Sequence, residues 1–558
     1  MCVDINNDPK TKLKMSPKST TCATIQPDTR SRYSAAAGST FDALKEITAD
    51  EVPGLVEELR STFRSEKTQS VKWRKEQLRN FGRMIDECQK EFCEGMFEDL
   101  HKSPFEGYLT ELGLVKNEIE TALEHLDSWM IPEKKSNSAL NIPCWSTTQR
   151  DPLGVVLIMG AWNYPVQLAL APMVGAIAGG NCILMKPGSY SPATSNILAR
   201  IIPEYLDQDA IRVIEGNRDV TSAVLKERFE KIFFTGSGFV GRIVARAAAE
   251  HMTPCVLELG GKSPCVVDSS ADLEHASQRL CWGTFLNGGQ TCVRPDFCLV
   301  HEDVADAFFK QMQKTLLSFY GENPQETEWF GRCINESAFT RLAQLVEENK
   351  QYIVTGGKMD KADKFISPTV LDFGSDIDLF RNSSVMQDEI FGPLLPCFRY
   401  KNIEDAVSMI KDLPTGKPLA LYAFGSDATF IKTIKTRTTS GGLCINDCLM
   451  HLANHDLPFG GVGSSGMGSY HGKYSFDCFT HEKAVLEKSQ LLDQSVLFKP
   501  LLGVRFPPYN KQKKFLVKTF ALHIMEKLVN VPIPLARVLA KILALYAFMT
   551  LLGFKIVR

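Results

Sequence analysis

Gly154-Val155-Val156-Leu157-Ile158-Met159-Gly160 is a run of five apolar residues shut between two glycines. It recurs in kind as Asn181-Cys182-Ile183-Leu184-Met185-Lys186-Pro187 and as Lys231-Ile232-Phe233-Phe234-Thr235-Gly236. A strand with one wet face alternates apolar and polar residues, whereas an unbroken apolar run is covered on both faces. Segments with helical spacing, 168–178 and Pro192–Tyr205, lie between the runs. Strands alternating with helices predict an α/β chain built on a parallel sheet. Upstream, from about residue 41 to Trp129, apolar residues such as Leu55, Leu59 and Phe63, then Leu78, Phe81, Met84 and Ile85, recur three and four apart as a helical stretch. No internal repeat is visible.

Ligands on such sheets bind beyond the carboxyl ends of the strands, so the residues that close each run are the ones to examine. The third run opens into Gly236-Ser237-Gly238-Phe239-Val240-Gly241, a G-x-G-x-x-G between a strand and a helix. Glycines there let backbone N–H groups approach a phosphate at a helix N-terminus, although a merely steric turn reads the same way. The second run ends in Lys186, a candidate for ribose or phosphate contact or else a solvated lysine. The first ends in Gly160-Ala161-Trp162-Asn163-Tyr164-Pro165, where the Asn163 amide is either an uncharged donor for a developing oxyanion or a turn cap.

The chemistry is most legible further along. Gly288-Gly289-Gln290-Thr291-Cys292 presents a thiol, and Glu258, in Leu257-Glu258-Leu259-Gly260-Gly261-Lys262, lies 34 residues before it. A thiolate attacks a carbonyl, and the thioester that results needs an activated water for release, so one cysteine and one glutamate divide two half-reactions. That division points to carbonyl oxidation or acyl transfer.

Composition is compatible with a large enzyme: 558 residues, 44% apolar, fill more than one domain. Sixteen cysteines occur singly, with no C-x-x-C pair, which reads as reduced thiols in a cytosolic setting. The near balance of 63 basic and 65 acidic residues gives no global field for nucleic acid, and no metal-ligand spacing stands out. Residues 1–40, rich in Ser, Thr, Asn and Lys, are expected to be a disordered extension, with a transit peptide as the alternative.

With Glu389-Ile390-Phe391-Gly392-Pro393, Ser440-Gly441-Gly442, Asn446-Asp447 and Leu457-Pro458-Phe459-Gly460-Gly461-Val462-Gly463 added, the chain from about residue 50 to about 509 resembles the aldehyde dehydrogenase superfamily. The run 465–477 and the closing Arg505-Phe506-Pro507-Pro508-Tyr509 resemble its class 3 group, which includes the fatty aldehyde dehydrogenases. The resemblance implies an aldehyde dehydrogenase fold: a Rossmann-like nucleotide-binding domain (41–257, with part of a bridging element near 130–150), an α/β catalytic domain (258–440) and a small β oligomerisation element with a return segment (441–509). It implies a homodimer, a cofactor that is NAD or NADP with NAD ahead, and an aldehyde substrate. By the same resemblance Cys292 is the nucleophile, Asn163 and the Cys292 N–H hold the oxyanion, and Glu258 activates the hydrolytic water. Lys186 belongs near the adenosine ribose, Gly236, Ser237 and Gly241 to the pyrophosphate turn, Glu389 to the nicotinamide ribose and Phe391 to the nicotinamide end.

Three departures qualify it. Where the family reads Lys-Pro-Ser-Glu, this chain has Lys186-Pro187-Gly188-Ser189, so the carboxylate that excludes a 2′-phosphate is missing. Gly238 replaces a Thr in the pyrophosphate loop. Arg294, two residues past the nucleophile, is expected to point into solvent, the alternatives being a cation that lowers the thiol pKa or one that lines the substrate funnel.

After Asn510 come nine Lys/Arg against the single acid Glu526. Residues 511–529 have the spacing of a basic amphipathic helix, Pro532 and Pro534 break it, and 542–554 are 13 uncharged residues, short of the roughly 20 that span a bilayer. A membrane-anchoring tail (510–558) is expected, attaching the enzyme to lipid on the cytoplasmic face of an intracellular membrane, the endoplasmic reticulum first; a dimer arm is the alternative. The function expected is oxidation of medium- or long-chain aliphatic aldehydes to acids. The rivals are a CoA-acylating dehydrogenase, which would not need Glu258, and a catalytically idle scaffold.

Overall fold

The three apolar runs are neighbouring strands of one sheet. In the computed structural model, which describes residues 47–137, 144–490 and 503–517, they are Val155–Met159, Cys182–Lys186 and Lys231–Thr235. Ile211–Val213 and Cys255–Glu258 complete a parallel set, and Gly466–Met467 adds one antiparallel edge strand. Every side chain of the first two runs is buried, which is why neither alternates. Across the sheet the strands run Ile211–Val213, Cys182–Lys186, Val155–Met159, Lys231–Thr235, Cys255–Glu258, so chain order reverses between Val155–Met159 and Lys231–Thr235. The carboxyl ends of these two strands, Met159 and Thr235, therefore flank the crevice where a doubly wound sheet takes its ligand.

Helix Gln167–Ala178 is buried along its whole length, so it reads as apolar all round. Gly175 sits where a Cβ would meet Ser475 Cβ at 2.6 Å, a close approach that only glycine permits. The amino-terminal helical stretch forms Val52–Arg64, Val71–Glu87, Gln89–Leu100 and Gly113–Met130, whose spaced apolar residues, among them Val56, Leu59, Phe81 and Ile119, join the same core.

A second sheet carries Ile353–Thr355, Thr369–Asp372, Leu394–Tyr400, Phe297–His301, Pro264–Val267, Ala420–Phe424 and Gly442–Ile445, parallel except for the first. Gly442–Ile445 pairs with Ala420–Phe424, so this sheet extends past the boundary expected at 440. A third, antiparallel sheet joins Glu133–Lys135, Trp145–Pro152 and Thr480–Glu487. Thr480–Glu487 is a mostly exposed edge strand. Both large sheets lie in a single compact unit.

The expected 1–40 extension, the amphipathic helix beyond residue 517 and the apolar run 542–554 lie outside the described residues. Of the tail, Lys511–Leu516 is helical, capped by the Asn510 side chain on Lys513 N–H. No helix among the described residues is long and apolar enough to cross a membrane.

Candidate active site

Cys292 follows three consecutive left-handed residues, Asn287 (φ 55), Gly288 (φ 60) and Gly289 (φ 75), which wrap the chain tightly ahead of the nucleophile. Glycine is needed at 289 because a Cβ there would strike the backbone of Gly392 and Pro393. Asn287 tolerates its conformation because its own groups are tied: its N–H donates to Glu106 Oε1 at 2.9 Å and its Nδ2 to Asn163 O at 2.7 Å.

Asn163 stands in the turn after strand Val155–Met159. One of its Nδ2 protons goes to Gln290 O at 3.0 Å, which sets the amide beside the nucleophile loop and leaves its second N–H for a ligand. The adjacent Tyr164 hydroxyl pairs with Thr291 Oγ1 at 2.6 Å. Thus the first strand end and the nucleophile loop, far apart in sequence, are stitched together by two bonds just ahead of Cys292.

Glu258 ends strand Cys255–Glu258. It is 3% exposed, and neither carboxylate oxygen has a hydrogen-bond partner among the described residues. A dry, unpaired carboxyl favours its neutral form, and burial holds its pKa well above the ordinary range. The half-buried Cys292 thiol is also pushed up, by burial first and then by the nearby Glu389 and Glu258. Nucleophile and base therefore share one poorly solvated space, and their charged forms disfavour each other.

Glu389 is brought to the same space by a loop that other residues secure. Asp296 accepts from the Ile390 N–H at 3.0 Å, and Lys262, ion-paired with Asp296, donates to Val385 O at 2.7 Å and Asp388 O at 3.1 Å. Gly260 is needed opposite, since a Cβ would run into the Glu389 carboxylate. Arg294, expected in solvent, is 1% exposed. Its guanidinium donates to the carbonyls of Gly392 and Leu394, so it braces this loop from within and is not a surface charge. Phe391 holds φ 51, a strained value for a side-chain-bearing residue, and meets Trp162 edge-on at 5.4 Å.

The remaining expected cofactor positions gather along the crevice. Lys186 is not solvated: it is 5% exposed, burial lowers its pKa, and its Nζ donates to Ser189 Oγ at 3.1 Å. Ser237 caps helix Gly238–Glu250 by accepting from Val240 N–H, and Gly236 N–H is taken by Glu258 O. Gly241 lets that helix close on Leu259, whose Cδ2 would lie 2.6 Å from an added Cβ. A Cβ at Gly238 would meet nothing closer than Arg242 Nη1 at 3.8 Å, so space does not require glycine there. Among the described residues the buried Glu389 Oε1 has no partner and so is left as an acceptor for a ligand, and a helix N-terminus with a strand-end lysine suits a dinucleotide. The residues present thus fit NAD or NADP. Among the described residues there is no cluster of three or more metal-ligating side chains.

Sequence reasoning missed the charges behind the turn. Lys102 and Glu111 form an ion pair whose side chains are fully buried. Removing one partner of such a pair costs about 3–5 kcal/mol. Their only signal in the sequence was charge inside an apolar-spaced helical stretch.

One consequence of the geometry is measurable. Burial first, then Asp296, pushes the Glu389 carboxyl from 4.5 up to about 8. The folded state therefore binds a proton that the unfolded chain has released, and stability falls as pH rises from about 4.5 through about 8. Glu389→Gln removes that loss. Its melting temperature is expected to match the parent near pH 5 and to exceed it by a few degrees at pH 8.5, while cofactor affinity falls; a gap that does not widen with pH would count against this environment for Glu389.

A family model for the Aldehyde dehydrogenase family matches residues 24–485. The chain is 40% identical over 463 residues to aldehyde dehydrogenase family 3 member B3 of Mus musculus, covering 83% of this chain and 94% of that one. It is 42% identical over 472 residues to aldehyde dehydrogenase family 3 member A2 of Rattus norvegicus, covering 85% and 94%. The solved substrate-bound state of AldH from Staphylococcus aureus superposes with a TM-score of 0.79 at 39% identity, covering 84% of this chain and 99% of that one. With a thiol, an amide donor and a dry carboxylate meeting at the mouth of a dinucleotide crevice, these likenesses lead to one conclusion: the chain belongs to the aldehyde dehydrogenase family, in its class 3 group.

Proposed function

We propose that this aldehyde dehydrogenase oxidises medium- or long-chain aliphatic aldehydes to carboxylic acids through a thiohemiacetal and then a thioester on Cys292. The observation that carries the hydrolytic half is Glu258, a buried carboxyl with both oxygens unpartnered beside the thiol. Cys292 attacks the carbonyl carbon, and the oxyanion that forms is held by the free N–H of Asn163 and the Cys292 backbone N–H. NAD or NADP, when bound, supplies the acceptor for the hydride that leaves the adduct. Glu258 then draws a proton from water, the hydroxide attacks the thioester carbonyl, and the Cys292–acyl bond breaks to release the acid. A pKa lifted by burial makes Glu258 a stronger base than an exposed carboxylate.

Lys186, Ser189, Gly236, Ser237, Gly241, Glu389 and Phe391 hold the cofactor. With Ser189 in place of a carboxylate beside Lys186, a 2′-phosphate meets a hydroxyl and an ammonium, so NADP is accepted beside NAD. The domain division is that of the two large sheets, and the exposed edge strand Thr480–Glu487 pairs subunits into a homodimer, since its outer edge carries no further strand among the described residues. The basic, apolar tail attaches the enzyme to the cytoplasmic face of an intracellular membrane.

The test is an aldehyde chain-length series, run with NAD and with NADP, on the full chain and on one ending at Tyr509. The expected results are a kcat/KM that rises with chain length, measurable turnover with both cofactors, and a shortened chain that keeps its rate on short aldehydes but loses about tenfold or more on long aldehydes in anionic vesicles. A flat chain-length profile would overturn the substrate class, and a shortened chain that still sediments with vesicles would overturn the anchor.

A further inference from the structure

We propose that Lys102 and Glu111 are positioning residues for the oxyanion hole, one buried ion pair that holds the Asn163 turn from both sides. Lys102 Nζ, paired with Glu111 Oε1, donates to Asn163 O at 3.2 Å and sits 4.1 Å from the centre of the Tyr164 ring. Glu111 Oε2 accepts from Val166 N–H at 2.8 Å and Gln167 N–H at 3.1 Å. The pair therefore grips the turn by a carbonyl at its start and by two amides at its end, where helix Gln167–Ala178 begins. Among the described residues no other charged side chain hydrogen-bonds to the backbone of residues 163–167.

The same segment reaches the second donor. Glu106 Oε1 accepts the Asn287 N–H, and Asn287 Nδ2 returns to Asn163 O, so the left-handed approach to Cys292 hangs on the segment that carries Lys102 and Glu111. Residues five apart lie about 140° round an α-helix and face different neighbours. Tyr108–Leu112 is instead a π-helical turn, whose wider winding brings Glu106 and Glu111 to one side. A helix distorted at the place where two buried carboxylates must serve one site is a functional arrangement, since apolar residues would fill a plain core at no such cost.

The proposal rests on Asn163 as the oxyanion donor, and the test separates the two. In the full-length enzyme, Lys102→Met with Glu111→Gln removes both charges and leaves neither unpaired. Cooperative melting and NADH binding, followed by fluorescence titration, are expected to stay within twofold of the parent. The rate of the first-turnover burst of reduced cofactor is expected to fall about 10²-fold, as for loss of one oxyanion donor. Alkylation of Cys292 by iodoacetamide, which forms no oxyanion, is expected to keep its rate, as read by mass spectrometry of the Cys292 peptide. On an Asn163→Ala background the paired substitutions are expected to add nothing further. Fully additive losses, or an alkylation rate that falls in step with the burst, would overturn the positioning role. An undiminished burst in Asn163→Ala alone would overturn the oxyanion assignment and, with it, the basis of the proposal. Should the double variant not accumulate as folded protein, Glu111→Gln alone takes its place, with a loss of about tenfold and the same non-additivity.

Discussion

Cys292→Ala is expected to abolish cofactor reduction altogether, lowering kcat by at least about 10⁴-fold while NADH binding and melting stay near those of the parent. Alanine is close in volume to a thiol-bearing side chain, and Cys292 is only half-buried, so packing alone gives no reason for the protein to lose its fold. The other thirteen cysteines described are structural or peripheral by position: Cys265, Cys298 and Cys397, for example, lie in register on three adjacent strands and are fully buried. The check is pre-steady-state reduction of the cofactor with saturating aldehyde. A Cys292→Ala enzyme that still gives a full burst would place the nucleophile elsewhere.

Glu258→Gln separates the half-reactions. A glutamine keeps the shape of the side chain and cannot take a proton from water, so the first turnover is expected to proceed and the enzyme then to stall as a thioester. Steady-state turnover falls by about 10³-fold, in the range for loss of a general base. The pH profile carries a second readout. Because burial raises the Glu258 pKa, the base is unmasked only as pH climbs through that raised value, and parent turnover is expected to increase with pH above the ordinary carboxylate range. The variant has no such rise. Acyl-enzyme of the expected mass, trapped by quenching after one turnover, confirms the stall; full steady-state activity in Glu258→Gln would move the base to another residue.

Both predictions touch a site in which function opposes stability. Among the described residues Glu258 has neither carboxylate oxygen partnered and Glu389 has one oxygen unpartnered, and each raises the pKa of the nearby thiol. Groups in such a state are kept for a ligand or a proton, since folding alone would replace them with apolar residues. Lys262, Asp296 and Arg294 are the counterweight: buried, hydrogen-bonded charges that fix the loop carrying Glu389.

What the amino-acid sequence determined by itself was whatever a short window of residues can express. Unbroken apolar runs at 155–159 and 182–185 specified strands buried on both faces, because burial on one face would demand alternation. The motifs that resemble the aldehyde dehydrogenases joined Asn163, Glu258 and Cys292 before any contact was known. Where an isolated charge would point was decided only by the tertiary structure. Arg294 reads as a surface residue until the carbonyls of Gly392 and Leu394, about a hundred residues away, close over it. Lys102, Glu106 and Glu111 are charges in an apolar-spaced stretch, and only the fold turns them inward, Lys102 onto Asn163, Glu106 onto Asn287 and Glu111 onto the start of helix Gln167–Ala178. A strand's apolar period is a local property, set by which faces lose water. The partner of a buried charge is set by whichever distant backbone groups folding leaves unsatisfied, and no local pattern encodes that.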